Sequence, residues 1–508
     1  MKVKNRSVCN TCRVRKLGCD GKVPRCSQCV LTKRECSGYS QEWVFVQQDF
    51  PSAKIRDPER QGTRAKEHNR SGPKIAPQET CVPSSISIAN GQDPFRSSIG
   101  RPLPHDLIDL VVRCYIPDDE VPFLSDNLAQ SRSRICGAWV EVLPNLSAQQ
   151  DHSLVLSSAV NALAISILHH KTGPQSREIS CSEALYSAIR ALRKGFATSD
   201  GSFHAEFAAA SMCLALAELM IPSSAVGWIA HVRGVGEFIR AYGPELYRSG
   251  IPHKLFVGVR PLLLLEAFHS RRSSFLALER WKVEPFTLSG ASPMQSLLSH
   301  AAIIPSILEK IDTLLEFPSA ASASDIAETW SSLVDALVSL EQWQMSLANQ
   351  TGELYRLIRA IDSGTKADAR TSSRCNHSIW FPNVMMANAF THLWAFQIVC
   401  LVEIQRLKTL YANLADDDQW LTSQFRCDRI QDDVLELSET ICQSMEYLMQ
   451  DEMNLFGPAS TFYPLKTAYN TFLAAGSRWR GHVLWCQEIV SQLVSKGFSL
   501  VPLLILGN

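Results

Sequence analysis

Beyond residue 107 the chain repeats large apolar residues at helical spacing. Three runs place such residues about four and seven positions apart, which puts their side chains on one face of a helix. The runs are Leu156, Val160, Leu163 and Ile167; Leu185, Ile189, Leu192 and Phe196; and Ile326, Trp330, Leu333, Leu337 and Leu340. Strand-type alternation is scarce. The pattern predicts a large all-α body over residues 104–508, whose length also allows two helical subdomains, divided around 285–287 and 364–373.

Two local signals predict where helices of this body begin and end. Ser180 followed by Glu183 has the spacing of a capping box, which predicts a helix start at Ser180. Gly243 followed by Pro244 predicts a helix end, because glycine adopts the left-handed conformation there and proline cannot continue a helix.

Residues 41–103 have a different composition. From about residue 47 onward, lysine, arginine, glutamine, serine, glycine and proline dominate and large apolar residues are few. Such a segment cannot bury enough apolar surface to order itself, so it predicts a mostly disordered linker. Residues 37–101 contain no sustained heptad pattern, so no coiled coil is predicted. A homodimer and a monomer therefore both stay open.

The first 36 residues contain six cysteines in two identical spacings, Cys9-x2-Cys12-x6-Cys19 and Cys26-x2-Cys29-x6-Cys36. The second set repeats the first with an offset of seventeen residues. Regular cysteines over so short a segment predict a metal site, and structural zinc prefers four thiolates in a tetrahedron. A disulfide framework is disfavoured, because no secretory signal precedes the segment and ten further cysteines are scattered without pattern.

The number of sulfurs indicates how zinc is shared. One zinc ion leaves two cysteines over, whereas two zinc ions need eight ligand positions from six sulfurs. Six sulfurs fill eight ligand positions if two of the thiolates each bind both metals. The duplication suggests the equivalent positions Cys9 and Cys26 as these bridges. The sequence therefore predicts a zinc domain over residues 1–40 with two zinc ions and six ligands: Cys9, Cys12, Cys19, Cys26, Cys29 and Cys36.

Two short helices are predicted inside this domain, at residues 10–17 before Gly18 and at residues 27–33. Helices this short are not stable alone in water, and about 40 residues cannot bury a useful core. Zinc-finger peptides gain on the order of 10–16 kcal/mol of folding free energy from the metal. We therefore expect the domain to unfold without zinc.

Charge separates this segment from the rest of the chain. The whole chain has a formal net charge of zero, but residues 1–36 carry ten basic and two acidic residues. A basic segment on an acidic body predicts a polyanionic partner, most plausibly nucleic acid. No secretory signal and no stretch of eighteen uncharged apolar residues is apparent, and 207–216 comes nearest. These features predict a soluble, intracellular chain with no membrane partner, and the basic N-terminus suits nuclear import.

The cysteine segment resembles the DNA-binding domain of the fungal binuclear zinc cluster transcription factors. All six cysteines, the basic run Arg13-Val-Arg15-Lys16 and Pro24 before the fourth cysteine carry the resemblance. In that family the first and fourth cysteines bridge the metals, as the duplication also suggests. The resemblance implies a nuclear, zinc-dependent regulator of RNA polymerase II genes that binds double-stranded DNA and contacts the transcription machinery. Control of a metabolic or secondary-metabolite pathway is expected from the family alone.

The resemblance also implies which side chains contact DNA. In the family, the end of the first helix enters the major groove and basic side chains bind a CGG triplet, where guanine offers O6 and N7. Position by position, Lys16 is expected to read bases, with Arg15 second and Arg13 on phosphate. Lys22 and Arg25 are further candidates for phosphate contacts. Position 18 is commonly basic in the family, and a glycine here removes that contact.

The body resembles the family's helical regulatory region more loosely, over residues 140–400. Trp228-Ile-Ala-His231, Tyr242-Gly-Pro244, Phe256, Arg260 and Trp281 carry this likeness. It implies a region that modulates activity, without naming an effector. The acidic and apolar segment 446–456 fits an activation segment, but an amphipathic core helix is the preferred interpretation.

Two classes of function follow. The first is the zinc-dependent, sequence-specific transcription factor. The alternative is a helical enzyme or scaffold that a zinc module docks to nucleic acid or protein. Gly234-Val-Gly236 lacks a preceding strand and a third glycine, so it does not predict a phosphate loop. No nucleophile, base and orienting group stand in a recognisable catalytic pattern, so an enzyme is not expected.

Overall fold

The computed structural model describes residues 11–12, 15, 19, 27–32, 34, 36, 104–118, 135–149, 154–172, 178–317, 322–351, 354–359, 377–412 and 429–507. The chain divides into two compact units, Met1–Asp93 and Pro94–Asn508, and each is described by itself. The predicted linker at 41–103 and the predicted subdomain division at 364–373 lie outside the described residues. The sequence-based bounds of the three regions stay predictions.

The first unit contains α1 at Ser27–Leu31. The first half of the second unit contains ten helices within its described residues: α2 Pro104–Tyr115, α3 Leu143–Gln149, α4 Leu154–Thr172, α5 Glu178–Thr198, α6 Ala205–Met220, α7 Gly227–Tyr242, α8 Gly250–Ser270, α9 Glu279–Val283, α10 Pro293–Ala301 and α11 Ile304–Glu316. Short 3-10 helices lie between them at Cys136–Val142, Pro244–Arg248, Phe275–Ala277 and Glu284–Phe286.

The second half continues with helices and one small sheet: α12 Ala323–Thr351, β1 Arg356–Arg359, β2 His377–Trp380, α13 Val384–Ala412, α14 Ile430–Gln443, α15 Met445–Leu448, α16 Phe456–Ser460, α17 Phe462–Ala474, α18 Arg480–Ser495 and α19 Val501–Leu506. Two 3-10 helices complete it at Asp451–Met453 and Ser477–Trp479. The predicted fold class, a small zinc domain with a large helical body, is confirmed.

The two strands are an exception that the sequence analysis did not predict. They pair antiparallel, with Arg356 opposite Trp380 and Arg359 opposite His377. Ile379 is buried, and the Ser378 hydroxyl donates a hydrogen bond to Glu446. Four residues per strand are too few for a clear alternating pattern, so the pairing depends on the helices that cover it.

The three predicted apolar runs lie on α4, α5 and α12 and face the interior. All residues of the runs on α4 and α12 are buried, and the α5 run is buried or packs against the core. The predicted helix end is also confirmed, because α7 stops at Tyr242 and Gly243 has φ +76°. The predicted capping box is wrong: α5 already begins at Glu178, so Ser180 lies inside the helix and cannot precede it.

Helix α6 is buried around its whole circumference, from Glu206 to Met220. It packs against α4, α5, α7 and α8, which explains why apolar residues and alanine occupy every face. Its last acidic residue, Glu218, accepts hydrogen bonds from the Ser223 backbone N–H at 2.7 Å and from the Ser223 hydroxyl at 2.5 Å. Burial raises the pKa of the Glu218 carboxyl. A side chain at Gly227 would place its Cβ 2.4 Å from this carboxylate, so the start of α7 requires glycine.

Helix α13 contains the stretch that comes nearest to a membrane-spanning segment among the described residues. Its segment Val384–Leu410 is long and apolar enough to span a membrane, so the expectation that 207–216 comes nearest is wrong. However, 94% of its most apolar window is buried inside the protein. The helix packs against α10, α12, α14 and α17, so its composition is that of a central core helix.

Buried apolar side chains from Ile108 to Ile505 form one continuous cluster. The residues around 285–287, where a subdomain division was predicted, lie within this unit, and Phe286 is buried. The body therefore surrounds a single apolar core within the part of the chain that is described.

Candidate zinc centre and nucleic-acid interface

The second cysteine pair of the zinc domain lies at a short helix. Helix α1 begins at Ser27, directly after Cys26, and contains Cys29. It ends within two residues of the predicted position. Two hydrogen bonds satisfy carbonyl groups at its C-terminal end: the Thr32 hydroxyl donates to the Gln28 carbonyl at 2.7 Å, and the Arg34 N–H donates to the Cys29 carbonyl at 2.9 Å. Of the other predicted helix, Thr11 and Cys12 are described and are helical.

Two thiols from the two repeats meet in the interior of this unit. The sulfurs of Cys12 and Cys29 lie 3.9 Å apart, and both residues are buried. They are equivalent positions of the duplication, seventeen residues apart. A disulfide would bring the sulfurs to about 2.05 Å. In contrast, zinc–sulfur bonds of about 2.3 Å give a tetrahedron whose edge is about 3.8 Å. The two thiols are therefore gathered at the spacing of zinc thiolates.

Cys19 and Cys36 pack against this pair, and the four cysteines form the only apolar cluster found among the described residues of the first unit. Val30 and Leu31 are 58% and 79% exposed instead of joining it. A unit whose described interior consists of cysteine sulfur has no hydrophobic core to stabilise it, and such sulfur sets bind zinc.

The described residues supply only part of a ligand set. Within them, no group of three or more histidine, cysteine, aspartate or glutamate side chains stands close enough to hold a metal ion. Cys9 and Cys26, the predicted bridges, lie outside the described residues. The converging thiols of Cys12 and Cys29 nevertheless fit the predicted centre. When bound, zinc supplies the folding free energy that this unit lacks.

Of the five predicted DNA contacts, the structure describes Arg15. It lies in a turn and is exposed, so its guanidinium is accessible to a polyanion. Arg13, Lys16, Lys22 and Arg25 lie outside the described residues, and their roles stay predictions. Arg34, after α1, is a further exposed cation.

The residues that carry the looser likeness in the body are structural. Trp228, Phe256, Arg260 and Trp281 are all buried, and Gly243 ends α7. The segment 446–456 is also interior, with Tyr447, Leu448, Met449, Met453 and Phe456 buried. This burial agrees with an amphipathic core helix and not with an exposed activation segment. The residues 234–236 lie within α7, as expected if they form no phosphate loop.

The body also contains polar features that the sequence analysis missed. Arg260 is fully buried without a carboxylate partner among the described residues, and Lys466 lies half-buried between two pockets. Arg260 belongs to the looser family likeness and Lys466 to no motif, and both environments are built from segments far apart in the chain. No signal in the sequence could have found these environments.

Comparison with known proteins identifies the first unit. Residues 7–42 match the family model of the fungal Zn(2)-Cys(6) binuclear cluster domain. The match confirms the resemblance and the two zinc ions, because a domain of this family binds two zinc ions. Neither the comparison with curated proteins nor that with solved structures finds a match to the chain. The family is one of DNA-binding transcription factors.

Proposed function

Because the chain carries a fungal Zn(2)-Cys(6) binuclear cluster domain at residues 7–42, we propose that it is a zinc-dependent, sequence-specific transcription factor that reads CGG-type triplets in the major groove. The match to this domain is the observation that carries the proposal. The helical body is its regulatory region, and no catalytic role is assigned to it. The protein acts in the nucleus on RNA polymerase II genes and contacts the transcription machinery.

The six cysteines hold the two zinc ions, with Cys9 and Cys26 as bridges. The duplicated spacing supports the choice of bridges, and the 3.9 Å approach of Cys12 and Cys29 supports their place in the ligand set. Zinc orders the short helices, and the helices in turn fix where the basic side chains point. The zinc ions thus act through structure, and DNA recognition belongs to the protein's cations.

Recognition divides between base and phosphate contacts. Lys16 and Arg15 donate hydrogen bonds to guanine O6 and N7, which present two acceptors in the major groove. Arg13, Lys22 and Arg25 contact phosphates, which fix the register of the domain without reading sequence. The exposed position of Arg15 supports its contact with DNA.

Binding of purified full-length protein to a CGG-containing duplex and to a scrambled duplex, at several salt concentrations, tests the proposal. The Lys16→Ala variant should lose about 1–3 kcal/mol on the CGG duplex and little on the scrambled one. The Arg13→Ala variant should weaken both duplexes alike and reduce the salt slope by about one unit.

Lys194→Ala serves as the matched control, because Lys194 is an exposed lysine of the body on α5. It should bind both duplexes as the unmodified protein does. Equal affinity of the unmodified protein for the two duplexes would overturn the proposal and favour a docking module on an enzyme or scaffold. A uniform effect of Lys16→Ala would overturn its assignment to bases.

The target pathway follows from the family alone, as regulation of metabolic or secondary-metabolite genes. Genome-wide mapping of the bound sites, together with transcript changes after deletion of the protein, tests it. Bound sites without transcript changes at metabolic genes would refute this part. The spacing of the mapped half-sites distinguishes a homodimer from a monomer.

A further inference from the structure

The helical body contains two adjoining pockets. The first has a volume of about 140 Å³ and lies between α8, α13, α16, α17 and α19. The second has a volume of about 460 Å³ and lies between α8, α13, α14 and α17. His269, Tyr463 and Lys466 line both pockets, so the two are contiguous at these three side chains.

The walls of the first pocket are mainly apolar. Leu216, Leu219, Leu265, Phe456 and Ala459 contribute to them. Apolar cavities of about 150 Å³ stay dry and bind benzene. Waters in such a space would need two to four polar partners each, which these walls supply poorly. The first pocket therefore has the size and chemistry to hold an aromatic ring.

Lys466 gives the contiguous site a positive charge. Burial lowers the pKa of its amino group, and among the described residues no carboxylate lies within ion-pair distance of it. The pKa of His269 is also lowered, first by burial and then by the charge of Lys466. The charge of Lys466 therefore acts on the junction of the two pockets, where Glu266 and Arg233 act on His269 in opposite directions.

The arginines of the second pocket, in contrast, have carboxylate partners. Its walls include Arg271 and Arg406, and both pair with one carboxylate, Glu403, at 2.9 Å. Arg271 also pairs with Asp312 at 2.8 Å, so its charge is balanced. Among the described residues that line the two pockets, Lys466 is therefore the cation that lacks an ionic partner. A ligand oxyanion would supply one and would relieve the cost of desolvating the ammonium.

Two other wall residues of the first pocket bury polar atoms. The Trp228 Nε1 and Asn388 Oδ1 atoms have no hydrogen-bond partner within the described residues, but neighbouring atoms cover both. His392 donates from Nδ1 to the Asn388 carbonyl at 2.8 Å and stacks on Tyr463. These groups are committed or covered, whereas Lys466 is half-buried in the wall and offers a charged contact to a ligand.

We propose that these two pockets form a binding site for a small aromatic carboxylate, with its ring in the apolar pocket and its carboxylate on Lys466. The residues that line the site all belong to the body. It gives the body a chemical class of effector, which the sequence did not supply. A ligand there would contact α8 from the first half of the body and α13, α16 and α17 from the second half.

Isothermal titration calorimetry of the full-length protein with benzoate and with phenylacetate tests this site, and benzyl alcohol serves as the neutral probe. We expect one carboxylate bound per chain and at least tenfold weaker binding of benzyl alcohol. The bound probe should also raise the thermal midpoint of the body, because it binds the folded state alone. No heat from either carboxylate, or equal affinity for benzyl alcohol, would overturn the proposal.

Variants locate the site. Ala459→Phe fills the apolar pocket and should abolish binding, and Leu504→Trp fills it from α19 if the first variant does not fold. Lys466→Met should weaken benzoate at least tenfold and leave benzyl alcohol unchanged. Lys194→Met, an exposed lysine on α5, is the matched control and should bind as the unmodified protein does. Unchanged benzoate binding by a folded filling variant would place the ligand elsewhere and overturn the proposal.

The DNA assay on the same samples separates this site from the proposed function. A protein that reads CGG duplexes but ignores both carboxylates would refute the pocket alone. A protein that binds benzoate but no duplex would refute the transcription factor alone.

Discussion

Gln295 bonds to several polar groups in the body's core, and its replacement should lower the free energy of unfolding. Arg260 is fully buried, and its Nη1 donates to the Gln295 carbonyl at 2.7 Å and to the Gln295 Oε1 at 3.1 Å. Its Nη2 donates to the Ser299 hydroxyl at 2.8 Å, and its guanidinium lies 5.0 Å from the Phe286 ring centre. Burial lowers the pKa of Arg260 to about 9, so it is still charged at neutral pH.

The nitrogen of the Gln295 side-chain amide replaces a backbone hydrogen bond that is missing in α8. Pro261 lies inside this helix and has no N–H, so the Val257 carbonyl lacks its helical donor. The Gln295 Nε2 donates to that carbonyl at 3.0 Å instead. One buried side chain thus satisfies both a charged donor and an orphaned backbone acceptor.

Gln295→Leu keeps the size of the side chain and removes these two bonds, together with the bond from Nε2 to the Cys136 sulfur at 3.3 Å. A hydrogen bond to a charged group contributes about 1.5–3 kcal/mol, and an unsatisfied buried carbonyl costs about 1–3 kcal/mol. Since the backbone bond from Arg260 to residue 295 survives, we expect a loss of about 3–5 kcal/mol in the free energy of unfolding. Ser299→Ala removes one acceptor of Arg260 and should cost about 1–2 kcal/mol.

Denaturant titration in zinc-saturated buffer, followed by far-UV circular dichroism, measures these losses, because the helical body dominates the signal. A double-mutant cycle with Arg260→Met identifies their cause. Once the charge is gone, Gln295→Leu loses only its bonds to Val257 and Cys136, so the double variant should be about 1.5–3 kcal/mol less destabilised than the sum of the singles. Additive losses, or a Gln295→Leu loss below about 1 kcal/mol, would refute this reasoning.

Three further predictions concern close packing, pH and zinc. Gly258→Ala should lower the free energy of unfolding by about 1–3 kcal/mol, because its Cβ would lie 2.6 Å from Trp139. Gly234→Ala, with open space at its Cβ, should raise it by about 0.5–1 kcal/mol. Equal shifts of the melting temperature in the two variants would contradict this. Burial lowers the pKa of His392 to about 4, so the unfolded chain binds more protons than the folded chain between pH 4 and 6.5, and stability falls as the pH drops through this range. In denaturant titrations at several pH values, the free energy of unfolding of His392→Gln should fall less steeply with decreasing pH. An unchanged pH dependence would contradict the assignment. Cys19→Ser should abolish zinc uptake, measured by metal analysis, while the body still melts cooperatively; joint loss of both would contradict two independent units.

Much of the first unit could be predicted from the sequence alone, because its chemistry is local. Zinc requires a certain number of thiolates, and the spacing between cysteines is itself the geometric constraint. The two zinc ions and the second helix followed from that spacing and from the family resemblance, and the ligand set Cys9 to Cys36 stays a prediction. The structure adds that the equivalent thiols Cys12 and Cys29 approach each other.

In the body, the sequence determined which faces of α4, α5 and α12 turn inward, because helix geometry converts a repeat of apolar residues directly into a face. It could not reveal that α13 is a central core helix, that β1 pairs with β2, or that Gln295 serves both Arg260 and Val257. These arrangements, like the pockets around Lys466, join residues far apart in the chain. Only tertiary packing decides which faces meet, and with that which buried polar groups find partners and where space remains between helices.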